Sequence, residues 1–348
     1  MSRYEKNLIT TVNVIEEREN NITFFEMKND ELRIRVTNLG CHILSIFSKD
    51  RNGNQEDIVL GFGEIEDCKE DGTYMGAIVG RVANRIKGAT FDLNGQTYKL
   101  AVNNGPNHLH GGEIGFDQKV FDYEVIENGL LFSYISPDME EGYPGNLELK
   151  VKYVLTDDCL TMEYEAWSDK DTLCNITNHS YFNLSAGKEK IYDHYLKIDA
   201  DQIACVDGNC CTTGEFMNVK DTPFDFHDYH KIGERINEDC EQLKLASGYD
   251  HSFMVKGDEN QLCLYDKKSG RKLTVSTTVP AIQIYTGNFL DEGCNGKQGK
   301  PYENRDGVAI EPQFLPDSIH IEKEPKVILR KGETYKAITK YIFQVDEL

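Results

Sequence analysis

Apolar side chains recur at every second position in residues 32–36 (LRIRV), 131–135 (LFSYI), 147–154 (LELKVKYV) and 160–166 (LTMEYEA). A period of two belongs to strands with one dry and one wet face. Shorter stretches at 262–265, 273–275 and 281–285 continue the theme. Turn chemistry sits between them. Asn94-Gly95 separates two alternating stretches, a strong hairpin signal, and Ser269-Gly270 does the same further on. Asn128-Gly129 and Asp157-Asp158 are weaker cases. Helical spacing is confined to residues 231–246. No Pro- or Ser-rich linker, biased tract or internal repeat interrupts the pattern. The chain therefore predicts one all-β domain, many antiparallel strands in two large packed sheets.

Composition narrows the partners. Of 348 residues, 39% are hydrophobic and 10% aromatic, enough for an extensive core. Lys plus Arg total 38 against 59 Asp plus Glu, a net charge of -21. Such a field repels phosphate backbones and anionic lipid, so the expected partner is a small neutral molecule, not nucleic acid or membrane. The opening MSRYEKNLITTVNV has no apolar segment of the signal-peptide kind, and no stretch approaches the roughly 20 apolar residues of a membrane span. A cytoplasmic location with reduced thiols is expected for the ten cysteines, which form no C-x-x-C pair.

Polar residues with chemical potential lie inside apolar contexts. TNHSYFNL (177–184) buries Asn178, His179 and Ser180 between large apolar side chains. Glu311 interrupts the apolar strand VAIEPQF, Asp250 precedes one in GYDHSF, and Arg81 and Arg85 punctuate IVGRVANRI. Burying such groups is costly unless they find partners or a task. His108 and His110 in NNGPNHLHGG have H-x-H spacing, with Glu113 following, so a cupin-like metal cluster is one reading. Asn84, Arg85, His110, His179, Asp250 and Glu311 together suit a hydroxyl-rich ligand. Arg and Asn supply donors, Asp an acceptor, and a His–Glu pair can move protons.

GRVANRI, NHLHGG, TNHSYFNL, GYDH, YTGNF and AIEPQ, in this order from about residue 20 to the C-terminus, resemble the aldose 1-epimerase (galactose mutarotase) family. IVLGFGEIEDC and EEGYPGNL support the likeness. The resemblance implies a β-supersandwich fold and interconversion of the α and β anomers of free aldohexoses, without cofactor or metal. By motif it places a general acid on His179 and a general base on Glu311. It places sugar contacts on Asn84, Arg85, His110, Ser180, Tyr181, Asp250 and Gln283. A monomer or homodimer is expected. The segment after the base, EPQFLPDSIH, differs from many members, although Pro316-Asp317 is kept.

Two proton transfers at adjacent oxygens would open the pyranose: one from the C1 hydroxyl, one to the ring oxygen. Glu is ordinarily ionised at neutral pH, whereas His needs a negative neighbour to stay protonated. Competing readings are a glycosidase using Asp250 and Glu311 as its carboxylate pair, a sugar-binding module without turnover, and a hexose-6-phosphate epimerase relative. The last would want a basic cluster beside the site.

Overall fold

A computed structural model describes residues 8–69, 72–293, 295–323 and 326–346. Three antiparallel sheets carry most of it. A five-stranded sheet runs in chain order from Thr11–Glu17 to Gln55–Asp57. A nine-stranded sheet is built on the long strands Leu147–Thr156, Cys159–Ser168 and Tyr335–Val345. A six-stranded sheet takes the order Tyr181–Phe182, Val308–Gln313, Ala281–Tyr285, Asp250–Val255, Ala200–Val206, Thr212–Asn218.

The alternation read from the sequence is the burial pattern observed. Along Leu147–Thr156 every second side chain is buried, and Cys159–Ser168, its partner in register from Leu147↔Ser168, does likewise. The nine- and six-stranded sheets share a core. Tyr341 in the large sheet packs its ring 5.2 Å from Phe182 and donates its hydroxyl to the Ile310 carbonyl at 3.0 Å. This stacking of antiparallel sheets is the expected supersandwich.

Asn94 and Gly95 both adopt positive φ, 54° and 77°, the combination a two-residue hairpin turn requires. They join Thr90–Leu93 to Gln96–Lys99. Ser269-Gly270 lies in the turn between Leu262–Tyr265 and Arg271–Thr277. The expected helix at 231–246 is instead two short ones, Ile232–Arg235 and Glu241–Ala246. The polar stretch Asn237-Glu238-Asp239 between them offers no apolar face to bury, and Cys240 is extended. Arg81 forms no ion pair with a carboxylate among the described residues and is satisfied by backbone and hydroxyl oxygens instead. Buried, it donates to the carbonyls of Ser136, Pro137, Pro144 and Gly145 and to the hydroxyls of Ser136 and Thr172, fixing the turn that precedes Asn84.

Candidate active site

The six-stranded sheet aligns the acidic half of the site. Ser252 pairs with Gln283 and Gln283 with Glu311, while Asp250 pairs with Tyr285, Tyr285 with Ala309 and Ala309 with Tyr181. Because side chains alternate, all of these residues lie on one face. Continuing the Tyr181↔Ala309 register back two residues puts His179 opposite Glu311. Their side chains meet: Nε2 of His179 lies 3.5 Å from Oε1 of Glu311, with both residues buried.

Alternation also sorts TNHSYFNL. Asn178 and Ser180 point to the opposite face from His179 and Tyr181. The Asn178 amide donates to the Gly76 carbonyl at 2.8 Å, and its oxygen accepts the Ser180 N–H and hydroxyl at 3.0 and 2.6 Å. Ser180 is fully buried in this bond and does not line the cavity, which corrects its expected place as a sugar contact.

The basic half comes from the GRVANRI and NHLHGG loops. Arg85 and Leu109 pair across a two-residue ladder, as do Ile86 and His108. Just beyond it, the Asn84 N–H donates to Nδ1 of His110 at 3.2 Å, and the His110 N–H donates back to the Asn84 carbonyl at 3.1 Å. Arg85 is steered by its Nε–H, which donates to Oδ1 of Asn104 at 3.0 Å.

These halves enclose a cavity of about 340 Å³, within the range of small-molecule sites. Its lining includes Asn84, Arg85, His110, His179, Tyr181, Asp250 and Glu311. Gln283 stands behind it: Ser252 donates to Oε1 of Gln283 at 2.5 Å, leaving the amide nitrogen to donate to Oδ1 of Asp250 at 2.6 Å. Gln283 thus supports Asp250 and does not line the cavity. Tyr74, Asn104, Cys210, Tyr285 and Phe289 also line it, none of them named as a site residue from the sequence. Asn104 lies in the recognisable NNGPNHLHGG loop, and Tyr285 and Phe289 begin and end YTGNF; Tyr74 and Cys210 carried no local signal.

Burial governs the proton affinities. It lowers His179 to about 4. It lowers His110 well below the ordinary imidazole value, with help from His179 and Arg85. It raises Glu311 well above the carboxylate range, reinforced by the nearby Asp250 and opposed by Arg85. Asp250 is raised by burial too, against the pull of Arg85 and the Gln283 bond. Burial therefore favours an uncharged pair, Glu311 protonated and His179 neutral.

His108 and His110 do not act together. His108 is buried, its Nδ1 donating to the Ala101 carbonyl at 2.8 Å and its Nε2 accepting from the Tyr143 hydroxyl at 2.7 Å, and Glu113 is exposed. The cupin-like set is thereby dispersed. A different trio, His110, His179 and Glu311, brings its ligand atoms within 4.8 Å of one another. It fits a metal poorly. An accepting Nδ1 fixes His110 with its hydrogen on Nε2, the nitrogen a metal would need bare.

A family model described as aldose 1-epimerase matches residues 23–342. The chain is 43% identical over 325 residues to a galactose mutarotase of Bos taurus, covering 92% of this chain and 94% of that one. It is 34% identical over 325 residues to an aldose 1-epimerase of Escherichia coli K12, covering 90% and 93%. Among solved structures, the GalM/aldose epimerase homologue from C. elegans superposes with a TM-score of 0.85 at 30% identity, covering 97% of this chain and all of that one (100%). Galactose 1-epimerase from Lactobacillus acidophilus NCFM gives 0.85 at 28%, covering 98% and 100%. No helix among the described residues is long and apolar enough to cross a membrane.

Proposed function

The chain belongs to the aldose 1-epimerase family, and on that premise we propose that it interconverts the α and β anomers of free aldohexoses such as galactose and glucose. The observation that carries the reading is the buried His179–Glu311 pair, at 3.5 Å, on the wall of a sugar-sized cavity.

Ring opening starts from the charged form, with Glu311 as carboxylate and His179 protonated. Glu311 takes the proton of the C1 hydroxyl while His179 gives one to the ring oxygen; the ring C1–O bond breaks and C1 becomes an aldehyde. The pair is now uncharged, which is the state that burial favours. Rotation about C1–C2 turns the other carbonyl face toward the former ring oxygen. Closure returns the proton from Glu311 to O1 and takes one from the attacking hydroxyl onto His179. No proton is gained or lost over the cycle, and each positioned group contributes about 10²–10⁴-fold.

Arg85 and the Nε2–H of His110 are the donors available to oxygens that gain charge in the open chain. Asp250, held by Gln283, accepts from sugar hydroxyls. Arg85 is the only Lys or Arg among the described lining residues, beside the carboxyl groups of Asp250 and Glu311, so a phosphorylated sugar would enter an unfavourable field. That supports free aldoses over hexose 6-phosphates. Polarimetry of freshly dissolved α-D-galactose or α-D-glucose tests the reading. The protein is expected to speed the optical change, and an unchanged rate would leave a sugar-binding module.

A further inference from the structure

We propose that Tyr74 is a substrate-contacting and positioning residue of this pocket, clamping His179 with its ring and offering its hydroxyl to the sugar. The proposal rests on the anomerase reading above and goes beyond the residues that reading assigns.

The imidazole of His179 has two phenol rings as neighbours. Tyr181 lies with its centroid 4.9 Å away at 42°, and Tyr74 at 6.1 Å and 35°. Tyr74 also covers His110 at 4.6 Å. One side chain thus neighbours both histidines that face the cavity.

The backbone holds Tyr74 in place at a cost. Its φ is 56°, in the left-handed region that a bulky side chain rarely adopts, and such strain persists only where the surroundings impose it. Here they do so through His179 itself. The Gly76 N–H donates to the His179 carbonyl at 3.0 Å, and the His179 N–H donates to the Ala77 carbonyl at 2.9 Å. The Ala77 N–H closes the turn onto the Tyr74 carbonyl at 3.0 Å. The Tyr181 hydroxyl donates to the carbonyl of Thr73, the residue before Tyr74, at 3.0 Å. Strand, turn and both rings form one unit around the imidazole.

The Tyr74 hydroxyl makes no hydrogen bond to another described residue, although the residue lines the cavity and the atom is not sealed from solvent. A phenol half-buried in a polar pocket with its hydroxyl uncommitted is suited to a ligand hydroxyl. It remains protonated throughout the physiological range, since burial pushes its acidity further from neutrality.

Two variants separate the hydroxyl from the ring. Tyr74→Phe keeps the clamp and removes the contact, so KM for galactose or glucose should rise about fivefold with kcat nearly unchanged. Tyr74→Ala admits water to His179, so kcat should fall at least tenfold. Its imidazole NMR titration should also move up from about 4 toward the ordinary value by one pH unit or more. An unmoved titration in Tyr74→Ala overturns the clamp whatever happens to turnover, and an unmoved KM in Tyr74→Phe overturns the contact. The titration needs no catalysis, so it decides the clamp even if the wild-type chain fails to accelerate mutarotation, a result that would sink the function instead.

Discussion

The backbone N–H of Asn84 donates to Nδ1 of His110 across 3.2 Å, and this bond decides what His110 presents to the cavity. A neutral imidazole has one hydrogen; when Nδ1 accepts, Nε2 carries it. His110 therefore faces the ligand as a donor. Mutarotation should be unchanged after exhaustive chelation, and added Co²⁺ should give no visible absorption bands from a histidine-bound ion. Activity lost on chelation and restored by a divalent metal would contradict this.

Gln283 orients Asp250 without reaching the cavity. Its amide is polarised in one direction, Ser252 donating to the oxygen and the nitrogen donating to Asp250. Gln283→Leu strands both partners, and an unsatisfied buried group costs about 1–3 kcal/mol. The expected result is a KM raised about tenfold or more with a smaller change in kcat. Steady-state polarimetry over a range of sugar concentrations checks the split.

His194 links stability to pH. It is buried, Nε2 accepts the Leu184 N–H at 2.8 Å, and burial lowers it to about 4. Between about 4 and the unfolded value near 6.5, the unfolded chain binds a proton here that the folded chain does not. Its stabilising contribution is therefore complete above 6.5 and is lost as pH falls toward 4. One such proton gives a slope of up to about 1.4 kcal/mol per pH unit. His194→Gln should show a smaller fall in Tm between pH 7 and pH 5 than the wild type. Parallel profiles would exclude His194 from the acid response.

Gly111 is where the two loops of the site touch. Its φ is 90°, and an added Cβ would lie 1.8 Å from the Gly80 carbonyl oxygen. Gly111→Ala must displace either the GRVANRI or the NHLHGG loop, at a cost of about 2 kcal/mol or more. Tm should drop by several degrees and activity should fall with it, because Asn84 and His110 are joined directly across this contact.

The sheets were legible because half-buried strands leave a period of two, and the long strands at 147–156 and 159–168 show it without interruption. The pocket's acidic wall was legible too, because Glu311 interrupts an apolar strand and Asp250 precedes one. The period failed at His108 and His110. There the strand ends at Leu109, and His110 turns left-handed at φ 50°, so an i, i+2 pair that alternation would align is parted. Ser180 was misplaced by the converse error, since alternation that puts His179 and Tyr181 on the cavity face sends the residue between them away. Tyr74 left no trace because its role comes from a turn whose geometry depends on the distant His179 strand. The helix expected at 231–246 split because its apolar spacing outran its polar midpoint.

The central claim is that His179 and Glu311 exchange a proton pair with one sugar, and Glu311→Gln tests it most directly. Gln keeps the volume and hydrogen-bonding reach of the side chain but can take no proton from the C1 hydroxyl. Polarimetry of fresh α-D-galactose should show turnover reduced by at least about 10²-fold in a protein whose melting profile remains cooperative. Near-wild-type rates in that folded variant would remove Glu311 from the chemistry and, with it, the mechanism proposed for this site.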